Sequence, residues 1–589
     1  MRRRISPVRH RRYWTRPGVV VIVLLAVCYY FLPYDSTLRL SVRFNSQRVV
    51  NTFAQPPQSL EAWTLAPLGN ATSPSNSLPA SGRYLPALYD DVGVILKTGY
   101  GTQHRVGAQI EALGLRPHTV DGNNMIVIGD WAGEVVYGDK GEQIFVHDVI
   151  APVLESGILG SRANCARAEK YRALAAAVHA GDDVEAMRIS KSDGWELDAM
   201  KFIPGLELAY QTMPNKNWYL LLDDDTFVIP SSLRLLLAHL DHSVPHYIGN
   251  AVGDFRGRFA HGGSAIVLSR EAVTLLLGSG SSRVLAVAAA AAASNRQQGI
   301  TTNSYKSGLA PPLLHQAYVD SITETWGDKL LATTLMRVGV YLDERFARLF
   351  NGARPRATRI SADRFCMPLV SFHALAKPEQ MRSVGAVFRQ IDPGQRGGTP
   401  SDATSPGFLA PPIAWGDLWA LYGRPTVAAL HHQPIHRGRD FVGAPGDDSS
   451  SSALVASVTE NVGSPEACRV LCAGDDGEGD DAMGADGFQR RFAGLYSYNS
   501  KCLAWTWNAG EQTCTTSPWF VVGEDESTGV APPSTEPASS TTETTSTKYS
   551  GVNVALLRQL VGRCGQRDGV SWTERGDKYE FRYNPSGTL

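Results

Sequence analysis

The residues in this chain best arranged for chemistry are three consecutive carboxylates, Asp223, Asp224 and Asp225. They follow the apolar run Trp218-Tyr-Leu-Leu-Leu222 and precede Thr226-Phe-Val-Ile-Pro230. Adjacent carboxylates repel one another, so a dry cluster is costly unless a cation neutralises it. A hard divalent ion bridging to diphosphate oxygens would do that. The plain alternative is an acidic turn open to water. The apolar segments on both sides argue instead for acids clamped at the end of a buried strand, where open α/β sheets place their ligands. An EF-hand loop is excluded, because no acid-x-acid-x-acid-Gly pattern closes on a Glu.

Other candidates are scattered along the chain. Lys97-Thr98-Gly99 follows the strand-like Asp91-Val-Gly-Val-Ile-Leu96, and such a turn is a plausible nucleotide contact without being a P-loop. Asp130 ends a second apolar run, Asn124 to Ile128. Gly262 and Gly263 in Phe259-Ala-His-Gly-Gly permit close backbone approach, or simply turn the chain into a strand at 264–268. Asp328 in Glu324-Thr-Trp-Gly-Asp-Lys-Leu-Leu-Ala332 sits near the start of a helical pattern. There it could act as a base, or merely interact with the helix dipole. Asp320 and Glu324 compete for the base role. His373 ends Pro368-Leu-Val-Ser-Phe-His373, a position where histidine is often only structural.

These residues need a scaffold. Apolar runs of strand type alternate with helical patterns, one around Val106, Ile110 and Leu113 and another from Asp198 to Gln211. That alternation predicts an α/β sheet covered on both faces. A tract at about 284–310, rich in Ala and then polar, reads as an insertion. Beyond His373 the pattern fades, and 393–440 reads as linker or loop. The last part, 441–589, holds Cys468, Cys472, Cys502, Cys514 and Cys564, with low-complexity loops between them.

The N-terminus sets the compartment. Seven arginines fall in the first sixteen residues, and no acid precedes Asp35. An uncharged run from Gly18 to Leu32 follows, ending in Tyr29-Tyr-Phe-Leu. These features predict a cytoplasmic tail (1–17), an uncleaved anchor (18–34) and a Pro/Ser/Asn-rich stem (35–88) without sustained periodicity. The small-x-small site of a cleaved signal peptide is missing. Everything after the anchor would be lumenal, where cysteines form disulfides and the sequon Asn70-Ala-Thr72 is usable. Seven cysteines follow the anchor, so at least one is free or pairs with another chain; Cys366 could pair with Cys165. A net charge of -1 gives no global pull toward nucleic acid.

The acidic motif, the segment Phe259 to Arg270 and the early Val-Gly-Val-Ile-Leu-Lys-Thr-Gly, in that order, resemble glycosyltransferase family 31. The likeness is to its Fringe-like and core 1 β1,3-galactosyltransferase-like members of fungal type, and it covers about residues 90–380. It implies a GT-A catalytic domain (89–392), a UDP-sugar donor, manganese (Mn2+) and an inverting transfer forming a β1,3 linkage. It also implies a single-pass type II protein of the Golgi membrane acting on a glycan acceptor on protein or lipid. By the same resemblance Asp225 and His373 would be metal ligands and Asp328 the catalytic base, although Ala332 stands where the family commonly has Gly. Lys97, Thr98, Gly99, Asp130, Asp223, Asp224, Gly262 and Gly263 would line the donor. The C-terminal segment resembles a small, disulfide-rich PAN/Apple-like module. Two rival functions are a membrane-tethered carbohydrate-binding protein with a degenerate transferase domain, and a two-carboxylate glycoside hydrolase.

Overall fold

A computed structural model describes residues 29–32, 36–52, 91–115, 118–119, 122–254, 257–277, 312–391, 413–423, 435–443, 454–473, 501–523, 548–563, 570–575 and 578–583. The first helix, α1 (Thr37–Thr52), lies within the segment expected to be an unpatterned stem. Leu40 and Phe44 are buried against Met336, and Arg48 forms an ion pair with Glu344 at 2.6 Å. Two apolar residues one turn apart are too weak a pattern to mark a helix in the sequence. Docking on the larger unit supplies the apolar contact that propensity alone does not.

The main sheet is built from β1 (Val92–Lys97), β2 (Met125–Gly129), β3 (Gly133–Tyr137), β4 (Glu142–Asp148), β5 (Trp218–Asp223), β7 (Tyr247–Gly249) and β9 (Ile266–Ser269). Their order is β3-β4-β2-β1-β5-β9-β7. Strands β4, β2, β1 and β5 run parallel, whereas β3 and β9 are antiparallel to their neighbours. Every residue of β1 and β2 is buried, as expected for strands covered on both faces. Helices α2 (Val106–Leu113), α3 (Asp183–Leu197), α4 (Phe202–Thr212), α5 (Pro230–Ala238) and α6 (Gly327–Arg337) pack around it. Gly114, at φ 62, ends α2 in the left-handed conformation that Gly adopts without strain. Two apolar clusters form the core, one on each side of the sheet.

Strand β9 starts two residues later than the sequence suggests. A short 3-10 turn occupies Gly262–Ser264, and Ala265 takes φ 75 before the strand begins. Two short strands, β6 (Phe227–Val228) and β11 (Ser371–Phe372), pair antiparallel beside the acidic motif.

A five-stranded antiparallel sheet forms the C-terminal part, in the order β12 (His436–Arg437), β17 (Lys548–Val552), β14 (Ala504–Asn508), β15 (Thr513–Ser517) and β13 (Ser457–Thr459). Helix α7 (Pro465–Ala473) is tied to it by the disulfides Cys468–Cys514 and Cys472–Cys502. This part does not stand apart. Strand β10 (Ile360–Ser361) pairs with β16 (Trp519–Phe520). Trp415, Leu418, Phe441, Phe520 and Leu557 belong to the same apolar cluster as β1. Residues 413–423, read as linker, therefore include core positions: Ala414, Trp415 and Leu418 are fully or almost fully buried.

Cys366 is disulfide-bonded but not to Cys165, which is a free thiol, so the suggested Cys165–Cys366 bridge is incorrect. Among the described residues no helix is long and apolar enough to cross a membrane. The expected anchor lies outside the described residues except at 29–32, as do the sequon at 70–72, the insertion at 284–310 and Cys564.

Candidate active site

The register of two parallel strands creates the site. Lys97 on β1 lies opposite Asp223 on β5, so the Lys-Thr-Gly turn and the acidic run leave the sheet side by side. Lys97 is buried, with Nζ 3.0 Å from an Asp223 oxygen and 2.5 Å from an Asp198 oxygen. Burial disfavours its charge, but the two carboxylates more than offset that and raise its pKa. Burial likewise opposes ionisation of Asp198, yet Lys97 and Lys201 hold its carboxyl below the ordinary value.

Thr98 donates its hydroxyl to Asp224 at 2.7 Å, and Arg105 reaches the other Asp224 oxygen at 3.2 Å. Burial nonetheless raises the Asp224 pKa, against the pull of Thr102, Thr98 and Arg105. The Gln109 amide donates to the carbonyls of Asp223 and Thr226, at 2.7 and 2.6 Å, and fixes the turn itself. Asp130 is fully buried; it accepts the Tyr100 N–H at 2.9 Å and lies 3.4 Å from Lys201 Nζ. Both oxygens of Asp130 thus have partners within the protein, and Lys201 also donates to the Thr98 carbonyl at 3.0 Å.

Pairing of β6 with β11 brings His373 to Asp225, with Nε2 3.3 Å from the nearer oxygen. Burial disfavours charge on both groups, but each stabilises the other: Asp225 is held below the usual carboxylate range and His373 is raised. A Cβ at Gly263 would fall 2.2 Å from His373 Nε2, so only glycine there leaves room for the imidazole. The pair offers one carboxylate and one imidazole at the spacing of adjacent ligands. Divalent ions bound at diphosphates commonly take few protein ligands and complete their shell with phosphate oxygens and water, and this donor set fits that habit. Among the described residues no group of three or more His, Cys, Asp or Glu side chains is arranged for a metal.

Across the cavity, Asp328 is the second residue of α6. Its Oδ2 accepts the Gly262 N–H at 2.9 Å and its Oδ1 accepts the Lys329 N–H at 2.8 Å. Burial, helped by the charges of Asp223 and Asp198, pushes its pKa up to about 6 against those two N–H donors. A carboxylate with that value is poised to exchange protons near neutrality. Asp320 and Glu324 are occupied elsewhere, by Arg337 at 2.9 Å and Lys329 at 3.2 Å, and neither lines the cavity.

The eleven residues given catalytic, donor-binding or metal roles in the sequence all line one cavity of about 520 Å³. Sequence reading missed Arg105, Asp198, Lys201 and the rim tryptophans Trp195 and Trp326, which line it too. Arg105 and Lys201 lay inside segments read only as helical scaffold. Their positions relative to Asp224 and Asp130 depend on contacts between residues far apart in the chain.

Residues 192–301 match the family model described as Fringe-like, a stretch that contains Asp198, the three aspartates of the acidic motif and Gly262-Gly263. The match supports a glycosyltransferase, and a sugar donor and acceptor as its partners. No curated protein matches the chain.

Proposed function

We propose that the chain is a metal-dependent inverting glycosyltransferase that moves a sugar from a UDP-sugar to a glycan acceptor and forms a β1,3 linkage. The observation that carries this reading is the placement of Asp328 across one cavity from the Asp223–Asp225 cluster, with Gly262 between them. Asp225 and His373 would hold manganese, which when bound supplies positive charge to the diphosphate of the donor. Lys97, Thr98, Gly99, Asp130, Asp223 and Asp224 form the wall against which the nucleotide end would lie. The Gly262-Gly263 backbone lets the sugar approach closely. Asp328 takes the proton of the acceptor hydroxyl while that oxygen attacks the anomeric carbon. The new C–O bond forms as the bond to the diphosphate breaks, and attack from the opposite face inverts the centre.

The main domain is read as GT-A, which its mixed sheet with the candidate site at the ends of β1 and β5 supports. The C-terminal sheet, with a helix held by two disulfides, supports a PAN/Apple-like reading. The arginine-rich start and the apolar run support a type II protein of the Golgi membrane, with the catalytic unit lumenal.

The test is transfer by the full chain in detergent, over a panel of UDP-sugars with and without manganese. Manganese-dependent turnover of one donor, lost in both Asp225→Ala and Asp328→Asn, is expected. Donor binding without any turnover across a broad acceptor panel would favour the carbohydrate-binding alternative.

A further inference from the structure

Helix α1 has two faces. Leu40 and Phe44 are buried against Met336 on α6, and Arg48 reaches Glu344. On another side Leu38, Val42 and Val49, spaced by four and seven residues, form one stripe, flanked by Val50. These four are 59, 43, 61 and 60 % exposed, an unusual display of aliphatic surface on a helix that is otherwise polar and basic. The helix carries Arg39, Arg43 and Arg48 and no acid.

The location of α1 indicates what covers this stripe. Arg39 donates to the Leu32 carbonyl at 2.9 Å and lies over the Tyr29 ring at 5.4 Å. Leu32 is the last residue of the uncharged run that begins at Gly18. Tyr30 and Phe31, beside it, are exposed as well. The start of the helix is therefore held beside the end of the apolar run.

We propose that α1 is a bracket lying on a phospholipid bilayer surface. Its Leu38/Val42/Val49/Val50 side meets the lipid, and its Leu40/Phe44 side grips the unit that carries Asp328. Arg39 and Arg43 suit an interfacial helix near phosphate headgroups, while Arg48 is taken up by Glu344 on the docked side. A second copy of the chain fits less well, because four aliphatic side chains fall short of the roughly 1,200 Å² that a stable interface buries. Lipid next to a covalent anchor needs little affinity of its own, since the tether keeps the helix at the surface. The bracket fixes the height and tilt of the catalytic cavity over the membrane instead of leaving it on a free tether. This inference rests on the anchor reading of residues 18–34 and is independent of the transfer chemistry.

The test uses the full chain, carrying Cys28→Ser and Cys165→Ser, reconstituted into phosphatidylcholine vesicles. Val42→Cys, Val49→Cys and, as a control on the exposed surface of α3, Val184→Cys are each labelled with an environment-sensitive fluorophore. Spin-labelled lipid should quench the labels at 42 and 49 at least about twofold more than the label at 184, as expected for side chains within the headgroup region. Equal quenching at all three positions in protein that floats with the vesicles overturns the bracket and leaves the anchor intact. Protein that does not float with the vesicles overturns both. Oxidative dimers through Val42→Cys without lipid quenching overturn it in favour of a second copy.

Discussion

Asp328 serves two opposed requirements. Burial and the nearby carboxylates hold its pKa at about 6, and catalysis on the proposed route needs it ionised. Below that value the protonated carboxyl cannot accept the acceptor proton, so transfer should fall about tenfold per pH unit on the acid side. A pH profile of kcat/KM checks this and should show an acid limb near pH 6 that is missing from the residual rate of Asp328→Asn. The same variant should lower kcat by roughly 10²–10⁴ with little change in donor KM. The linkage sign also gives a stability prediction. A carboxyl with a raised folded pKa contributes stability below its unfolded value, and that contribution is lost as pH rises through about 6. Asp328→Asn removes the cost of the buried charge at pH 7.5 but can accept only one of the two N–H groups, a loss that is the same at both pH values. Its stability relative to the parent should therefore be more favourable at pH 7.5 than at pH 4, by on the order of 1–2 kcal/mol, as checked by denaturant melts at the two pH values.

Among the elements, strand register and one glycine do most to shape the cavity. Opposition of Lys97 and Asp223 follows from the β1–β5 pairing, and the approach of His373 to Asp225 follows from β6–β11. Gly263→Ala would put a methyl group 2.2 Å from His373 Nε2. Because backbone holds one side of that contact, the imidazole must shift from its place beside Asp225. The expected outcome is weaker manganese binding by calorimetry, together with a loss of about 1–3 kcal/mol from overpacking. The β-strand runs of β1, β2 and β5 and the helical starts of α2 and α6 were legible, because each carries its own period or uniform burial. Helix α1 was not, because its stability comes from Leu40 and Phe44 meeting Met336, more than 290 residues away in the chain.

For the whole molecule, the C-terminal sheet is part of the catalytic unit's architecture. Strand β16 completes a pair with β10, and Trp415, Phe441, Phe520 and Leu557 share a core with the main sheet. Truncation after Ile391 should therefore yield insoluble or molten protein, not a free transferase, as judged by gel filtration and near-UV circular dichroism. Removing one bridge with Cys468→Ala and Cys514→Ala should cost about 2–5 kcal/mol, read from the unfolding midpoint. If the truncated chain were folded and cooperative, the shared core would not be needed for stability.

The sequence alone determined the residue types and their order: a buried strand ending in three acids, a Lys-Thr-Gly turn, a glycine pair, a helix-start Asp and a late His. Those features are local, set by apolar period and by the chemistry of neighbours within a few positions. Only the tertiary structure decided that all eleven residues face one cavity, that Asp328 lines it while Asp320 and Glu324 do not, and that Arg105, Asp198 and Lys201 join them. It also decided that Cys165 is free and that residues 413–419 are largely core. These outcomes depend on register and packing between segments tens to hundreds of residues apart, and no local pattern encodes such contacts.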